Sequence, residues 1–293
     1  MVRGDQVVDR ARPPGARRIG LRPGRRLQQR SAHLPETFDP LRPVEQHVVI
    51  QHRIVQKAFV GLEFAAGIEV LLVVVVHVGI PEARAIQQSL ARLVVTEDRL
   101  GDVHFVAGMD VGLDARRSVA RASAVVLSFP ELQLCDWAVA ERPLTFPYVP
   151  GLLSFREIPV MLEALGNLRQ IPDLVICDGQ GLAHPRRFGI ACHFGLLTGI
   201  PTIGAAKSRL IGTHRPVGLR KGQYALLKDG TDCIGIVLRT RTEVKPIYVS
   251  IGHRVGLMTA RRFVLACTTR YRLPETTRHA HRLASSGGLH GFR

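Results

Sequence analysis

The chain has 293 residues, enough for one large domain with a sizeable core or two smaller ones, and 46% of them are hydrophobic, so a folded part is expected. Lys and Arg number 40 against 24 Asp and Glu, for a formal charge of +16 and a pI of about 10.8. That balance points to a polyanionic partner, either nucleic acid or an anionic membrane surface; the plainer alternative is a basic tail with no partner.

The five cysteines (135, 177, 192, 233 and 267) have no C-x-x-C spacing. This argues against a zinc ribbon or a disulfide scaffold and fits a reducing cytoplasm. The start, MVRGDQVVDRARPPGARR, lacks the apolar centre of a signal peptide. The apolar run IEVLLVVVVHVGI (68–80) is shorter than the ~20 residues needed to span a bilayer, and reads as a buried strand or an accident of composition. The expected location is cytoplasmic, with no membrane association.

Residues 1–80 differ from the rest. They carry 12 Lys and Arg against 7 acidic residues, with most of the arginines before residue 31. RPPGARRIGLRPGRRLQQR is broken by Pro and Gly and has neither helical nor strand period, so a poorly ordered basic extension is expected. Residues 47–60 and 64–79 are apolar enough for local structure, but no motif emerges and no internal repeat is visible.

From residue 81 the pattern becomes regular. PEARAIQQSLARLV has Pro near a helix start and apolar residues at helical spacing. HFVAGMDVGL (104–113), ARASAVVLSF and LCDWAVAER read as three strands with short links, an antiparallel meander. LLSFREIPVMLEALGNL (152–168) is an amphipathic helix with an internal Pro159. PDLVICDGQG (172–181) is an apolar strand of the buried parallel kind. RFGIACHFGLLTG (187–199) is a helix closed by Gly199, and IPTIGAAKS is the next buried strand. CIGIVLRT and PIYVSIG are further strands, and GLMTARRFVLACTTRY and PETTRHAHRLAS are terminal helices. A meander followed by alternating helices and strands predicts an α/β fold built on a mixed sheet. The divisions expected are an extension (1–80), a catalytic domain (81–286) and a short tail (287–293).

Asp110 falls inside an apolar strand, and Asp178 falls at the carboxyl end of another, where open α/β sheets build their sites. A buried carboxylate is costly unless paired or bound to metal, although a single one often just caps a loop. Two of them, with Glu157 on a helix and no C-x-x-C pair or paired His, suit a hard, oxygen-seeking cation such as Mg²⁺. Mg²⁺ on a basic protein points to phosphodiester chemistry. Upstream of Glu157, PYVPG holds Tyr148 in a stiff turn between Pro147 and Pro150.

The stretches VAGMDVGL, FPYVPGLLSFREIPVMLEAL, PDLVICDGQGLAHPRRFGIACHFGLLTGIPTIGAAKSRLIG, PIYVSIGHRVGL and YRLPETTRHAHRLAS, in this order and spacing, resemble the endonuclease V family over about residues 81–286. Residues 1–80 lie largely outside the resemblance. It implies a ribonuclease H-like fold and a Mg²⁺-dependent endonuclease, with Mn²⁺ as a substitute, acting on deoxyinosine in DNA. Inosine in RNA is the alternative substrate, and a non-catalytic nucleic-acid-binding protein the alternative class. A monomer is expected. The resemblance also implies that Asp110, Glu157 and Asp178 form the metal site, with His281 and Lys207 beside it. It implies that Tyr148, flanked by Pro147, is a wedge between stacked bases, and that Gly151, Leu153, Gly179, Gly181, His184, Ile190 and Leu210 meet the lesion or line the cleft. From the residues alone, Leu153, Ile190 and Leu210 read equally well as ordinary core. His253 is a weaker candidate that could only order a loop. The sequence departs from the family's pattern at two places: DVGL lacks the aromatic or serine often found after the first Asp, and Ile251 stands where Pro is common.

Overall fold

In the computed structural model, residues 78–114 and 116–286 are described; the expected basic extension, the apolar run up to residue 77 and the tail beyond 286 lie outside them. The described chain begins with α1 (Ile80–Leu90), which has Pro81 in its first turn and is followed by a short 3-10 turn (Ala91–Leu93). The meander follows as β1 (Phe105–Asp114), β2 (Val119–Ser128) and β3 (Leu134–Pro143). Next come α2 (Leu153–Gly166), β4 (Leu174–Cys177), α3 (Ile190–Thr198) and β5 (Thr202–Ala206). The chain continues through β6 (Tyr224–Asp229), β7 (Asp232–Leu238) and β8 (Ile247–His253) to α4 (Leu257–Ala266) and α5 (Glu275–Ser286).

All eight strands form one mixed sheet, in the order β3-β2-β1-β4-β5-β8-β7-β6. β1–β2–β3 is the expected antiparallel meander, β4 and β5 run parallel to β1, and β8, β7 and β6 add on antiparallel. This is the ribonuclease H-like α/β sheet that the resemblance implies. β4 and β5 are buried along their whole length, as strands covered on both faces must be. One strand went unrecognised: in β6 only Leu227 is buried, so YALLKD lacks the apolar run or clean alternation that marks a strand.

The two faces of β1 serve different cores. Ala107 and Met109 pack with Ile158 and Met161 of α2 and with Phe194 and Leu197 of α3. On the other side of the sheet, Val106, Ile203 and Val249 pack with Phe263 and Val264 of α4. α3 ends as predicted at Gly199, whose φ of 69° gives a left-handed cap, its N–H donating to Gly195 O. Pro159 sits inside α2 without ending it.

Candidate active site between β1 and the carboxyl end of β4

The register of the two central strands builds the site. β1 and β4 pair in parallel through Met109↔Cys177, and Asp178 N–H donates to Met109 O at 3.0 Å. Asp110, the next residue of β1, and Asp178, the first residue past β4, therefore become neighbours although far apart in sequence. α5 supplies a third group. His281 Nδ1 lies 2.6 Å from Asp110 Oδ2, and ligand atoms of Asp110, Asp178 and His281 all fall within 4.8 Å of one another. Lys207, one residue past β5, places Nζ 2.5 Å from Asp178 Oδ2.

Glu157 approaches from α2, is 8% exposed and stands outside that compact trio. Burial, reinforced by the negative charges of Asp110 and Asp178, pushes its carboxyl up to about 8 against an ordinary 4.5. Burial also raises Asp178, with Asp110 adding to the effect and Lys207 opposing it. Like charges crowded into a desolvated site favour a divalent cation, and the oxygen and imidazole donors present fit one.

Beside the carboxylates opens a cavity of about 420 Å³. Its lining includes Asp178 and Lys207 together with Tyr148, Gly151, Leu153, Gly179, His184, Ile190 and Leu210. Tyr148 is 69% exposed, while Phe146 and Leu152 on either side are buried against Phe155 and Ala83. The ring is thus held out in solvent on a loop clamped at both ends, with Pro147 exposed next to it. Leu153 and Leu210 are 39% and 47% exposed, so they form walls and not core; Ile190, at 7%, belongs to both.

Two lesion candidates do not line the cavity, Pro147 and Gly181. Gly181 serves the packing of its loop. Its N–H donates to Ser250 Oγ at 2.8 Å, and a Cβ there would meet Ile251 O, so it packs the loop onto β8. His253, 6% exposed, accepts from the N–H of Val95 through Nδ1 at 3.2 Å, which is the loop-ordering role. Burial, with Arg254 and Arg99 adding, pushes its imidazole down to about 4.

The loop's C-terminal clamp is polar. Gly151, at φ 78°, is in the left-handed region that favours glycine, and its carbonyl accepts from Arg186 Nη2 at 2.6 Å and from His184 Nε2 at 3.0 Å. The N–H of Arg186 points at His184 Nδ1 (3.2 Å), which assigns the proton of the neutral ring to Nε2. Burial and the adjacent Arg186 charge push that imidazole down to about 4, consistent with the neutral tautomer. Arg186 Nε in turn donates to Oε1 of the buried Gln87 at 2.6 Å, and Gln87 Nε2 donates to Phe188 O. Gln87 and Arg186 were missed in the sequence, where a polar residue on α1 and one arginine of a basic pair carry no signal of convergence.

A sequence profile of the endonuclease V family matches residues 88–282. The chain belongs to the endonuclease V family. An endonuclease V of Roseiflexus sp. (strain RS-1) is 57% identical over 208 residues, which are 71% of this chain and 93% of that protein. The crystal structure of endonuclease V from Streptomyces avermitilis is similar with a TM-score of 0.69 and 46% identity, covering 71% of this chain and 92% of that one. A variant of Ciona intestinalis endonuclease V, in complex with a 23mer DNA containing an inosine followed by a ribo-adenosine, is similar with a TM-score of 0.62 and 30% identity, covering 70% and 95%. As an endonuclease V family member the chain is a nuclease. Its five cysteines are free thiols, and no described helix is long and apolar enough to cross a membrane.

Proposed function

We propose that this chain is a Mg²⁺-dependent endonuclease that recognises deaminated purines, chiefly deoxyinosine in DNA. It cuts the second phosphodiester bond on the 3′ side of the lesion and leaves 3′-hydroxyl and 5′-phosphate ends. The observation that carries this reading is a cavity with the Tyr148 loop at one wall and Asp178 and Lys207 at another. Recognition and hydrolysis then share one wall-to-wall space. The inosine-containing DNA held by the Ciona relative supports the substrate class.

Asp110, Asp178 and His281 would hold the cation, with Glu157 completing the acidic set from α2. When bound, Mg²⁺ activates water and stabilises charge developing on the phosphate oxygens; Mn²⁺ substitutes. Lys207 presents an ammonium beside Asp178, where it can neutralise a phosphate oxygen. Tyr148 wedges into the base stack, and the ring loses little freedom because Phe146 and Leu152 already fix the loop. The unstacked base turns into the cavity, where Leu153, Ile190 and Leu210 face it and His184 and Arg186 hold the Gly151 carbonyl in place. Hypoxanthine lacks guanine's 2-amino group, so a close pocket with no room or acceptor there separates the two.

A second reading, cleavage of inosine-containing RNA, is favoured by one observation: the Ciona complex carries a ribo-adenosine after its inosine. The test is cleavage of an inosine duplex, with its RNA counterpart in parallel, in Mg²⁺ and in EDTA. Metal-dependent nicking on the 3′ side of inosine and none of the undamaged duplex is expected. Equal cutting of both duplexes, or cutting that survives EDTA, overturns it.

A further inference from the structure

From Gly179 to Lys228 the chain runs for 50 residues without one acidic side chain while carrying eight Lys and Arg. The segment after β5 takes this charge across the end of the sheet. Arg209 and Leu210 still line the cavity beside the carboxylates. Three residues on, Thr213, His214, Arg215 and Pro216 line one side of a separate groove of about 770 Å³. Tyr224, Leu226 and Lys228 of β6 line the other side. Backbone ties the two lining segments together: Thr213 N–H donates to Lys228 O at 2.7 Å, and Lys228 N–H donates to Thr213 O at 2.9 Å. From Leu210 to Thr213 the chain reaches at most about 11 Å, about three base pairs of duplex rise.

A basic run is usually a solvated face, and several arginines here answer to carboxylates. Arg99 pairs with Glu97, Arg121 with Glu141, and Arg187 with both Asp229 and Asp232. The acids nearest the groove in sequence are therefore already engaged by Arg187. Arg215 and Lys228 differ. Both are exposed, neither has a salt-bridge partner among the described residues, and no carboxylate lines the groove. The exposed Tyr224 ring adds an aromatic face, with the Arg261 guanidinium 4.6 Å from its centroid.

We propose that this groove is a second nucleic-acid contact, taking the sugar-phosphate backbone of the substrate duplex next to the lesion, with Arg215 and Lys228 each meeting a phosphate. The inference rests on the endonuclease reading above and assigns the flanking duplex to a place on the fold. The unpaired cations give affinity without sequence preference, which suits an enzyme that must meet a lesion in any context.

The test uses Arg215→Gln, Lys228→Gln and the double variant in the full chain, with thermal unfolding as the folding control. Binding to an inosine duplex is measured over a salt series in EDTA, and cleavage is measured in Mg²⁺. The slope of log affinity against log salt is expected to fall by about 1 in each single variant and about 2 in the double. KM is expected to rise with kcat held, and a duplex trimmed to end before the groove erases the difference from the parent. Unchanged slopes and KM in a folded double variant overturn the proposal. A double variant that changes the sedimenting species at an unchanged slope also overturns it, because the groove then joins two copies of the chain along β6. If the parent fails to cleave inosine duplex while the slopes still fall as stated, the nuclease reading is lost and the groove stands.

Discussion

His281 and Asp110 stand 171 residues apart, yet the imidazole Nδ1 lies 2.6 Å from the carboxylate Oδ2 because β1 carries a glycine two positions to either side of that aspartate. Gly108, Asp110 and Gly112 share one face of the strand. A Cβ on Gly108 would overlap the Thr276 backbone, and one on Gly112 would fall 3.3 Å from Ala284 O. α5 therefore lies directly along β1. The eight residue steps from Thr276 to Ala284 rise about 12 Å along the helix, and the four steps from Gly108 to Gly112 beneath them span about 13 Å of strand. The matched lengths put His281, near the middle of the helix, over Asp110.

Gly108→Ala is accordingly expected to lift α5 and separate His281 from Asp110. Overpacking of this kind costs about 1–3 kcal/mol, read as a lower denaturation midpoint, and cleavage falls with it. His281→Ala should keep the parent's midpoint and only slow the rate. A Gly108→Ala protein as stable and active as the parent would show that the helix does not need this close approach.

Asp110→Ala and Asp178→Ala are expected to abolish nicking while leaving the fold and much of the lesion binding intact, since neither side chain belongs to the apolar clusters that pack the helices onto the sheet. Gel assays of purified variants with Mg²⁺, alongside binding in EDTA, separate the two effects. Near-parental turnover in either variant would remove the metal assignment.

Glu157 is expected to link metal binding and pH to stability. Its carboxyl sits at about 8 in the folded chain and at 4.5 in the unfolded one, so between these values the folded state keeps a proton that the unfolded state has released. The contribution is fully present below 4.5 and is lost as pH rises through about 8, so the metal-free protein loses stability across that window. Mg²⁺ favours the deprotonated carboxylate, and should raise the melting temperature more at the alkaline end than at the acidic end. Glu157→Gln should flatten the metal-free profile, stabilise the metal-free protein near the upper limit and abolish nicking. Melting curves against pH, with EDTA and with Mg²⁺, check all three; a parent profile flat across the window would contradict them.

Tyr148→Ala should reduce discrimination for inosine over undamaged duplex, because base–aromatic stacking contributes about 1–3 kcal/mol per base. Tyr148→Phe should retain most of it, since the proposed wedge uses the ring and not the hydroxyl. Competition binding gives the ratio. Equal ratios in the parent and Tyr148→Ala would reduce the loop to a structural turn.

Residues 1–77 are expected to be dispensable for cleavage, because every residue of the cavity and the acidic set lies from Gln87 onward. A chain starting at Val78 keeps the packing of that residue against the cluster of Ala83, Phe146, Leu152 and Phe155 and should cut inosine duplex at low and moderate salt. Removing α1 as well takes Gln87 from Arg186 and should loosen the Tyr148 loop. Loss of cleavage at both salts in a folded Val78 start would assign the extension to the active enzyme.

Local chemistry alone determined much of this protein. Apolar runs, Gly199 as a stop and Pro81 as a start made the alternating helices and strands legible, since hydrophobic period and backbone preference act within a few residues. Asp110 and Asp178 stood out because a carboxylate in an apolar strand costs too much to be incidental. What only the tertiary structure decided depends on register and on contacts across the chain. The pairing of Met109 with Cys177 sets the two aspartates side by side, and the bare face of Gly108 brings His281 to one of them while Glu157 stays outside the trio. The exposure of Leu153 and Leu210 makes them cavity walls, which their apolar character could not distinguish from core. Gln87, Arg186 and β6 were silent in the sequence for the same reason: a polar residue on a helix, an arginine in a basic pair and a mostly exposed edge strand acquire their roles only from partners brought together by the fold.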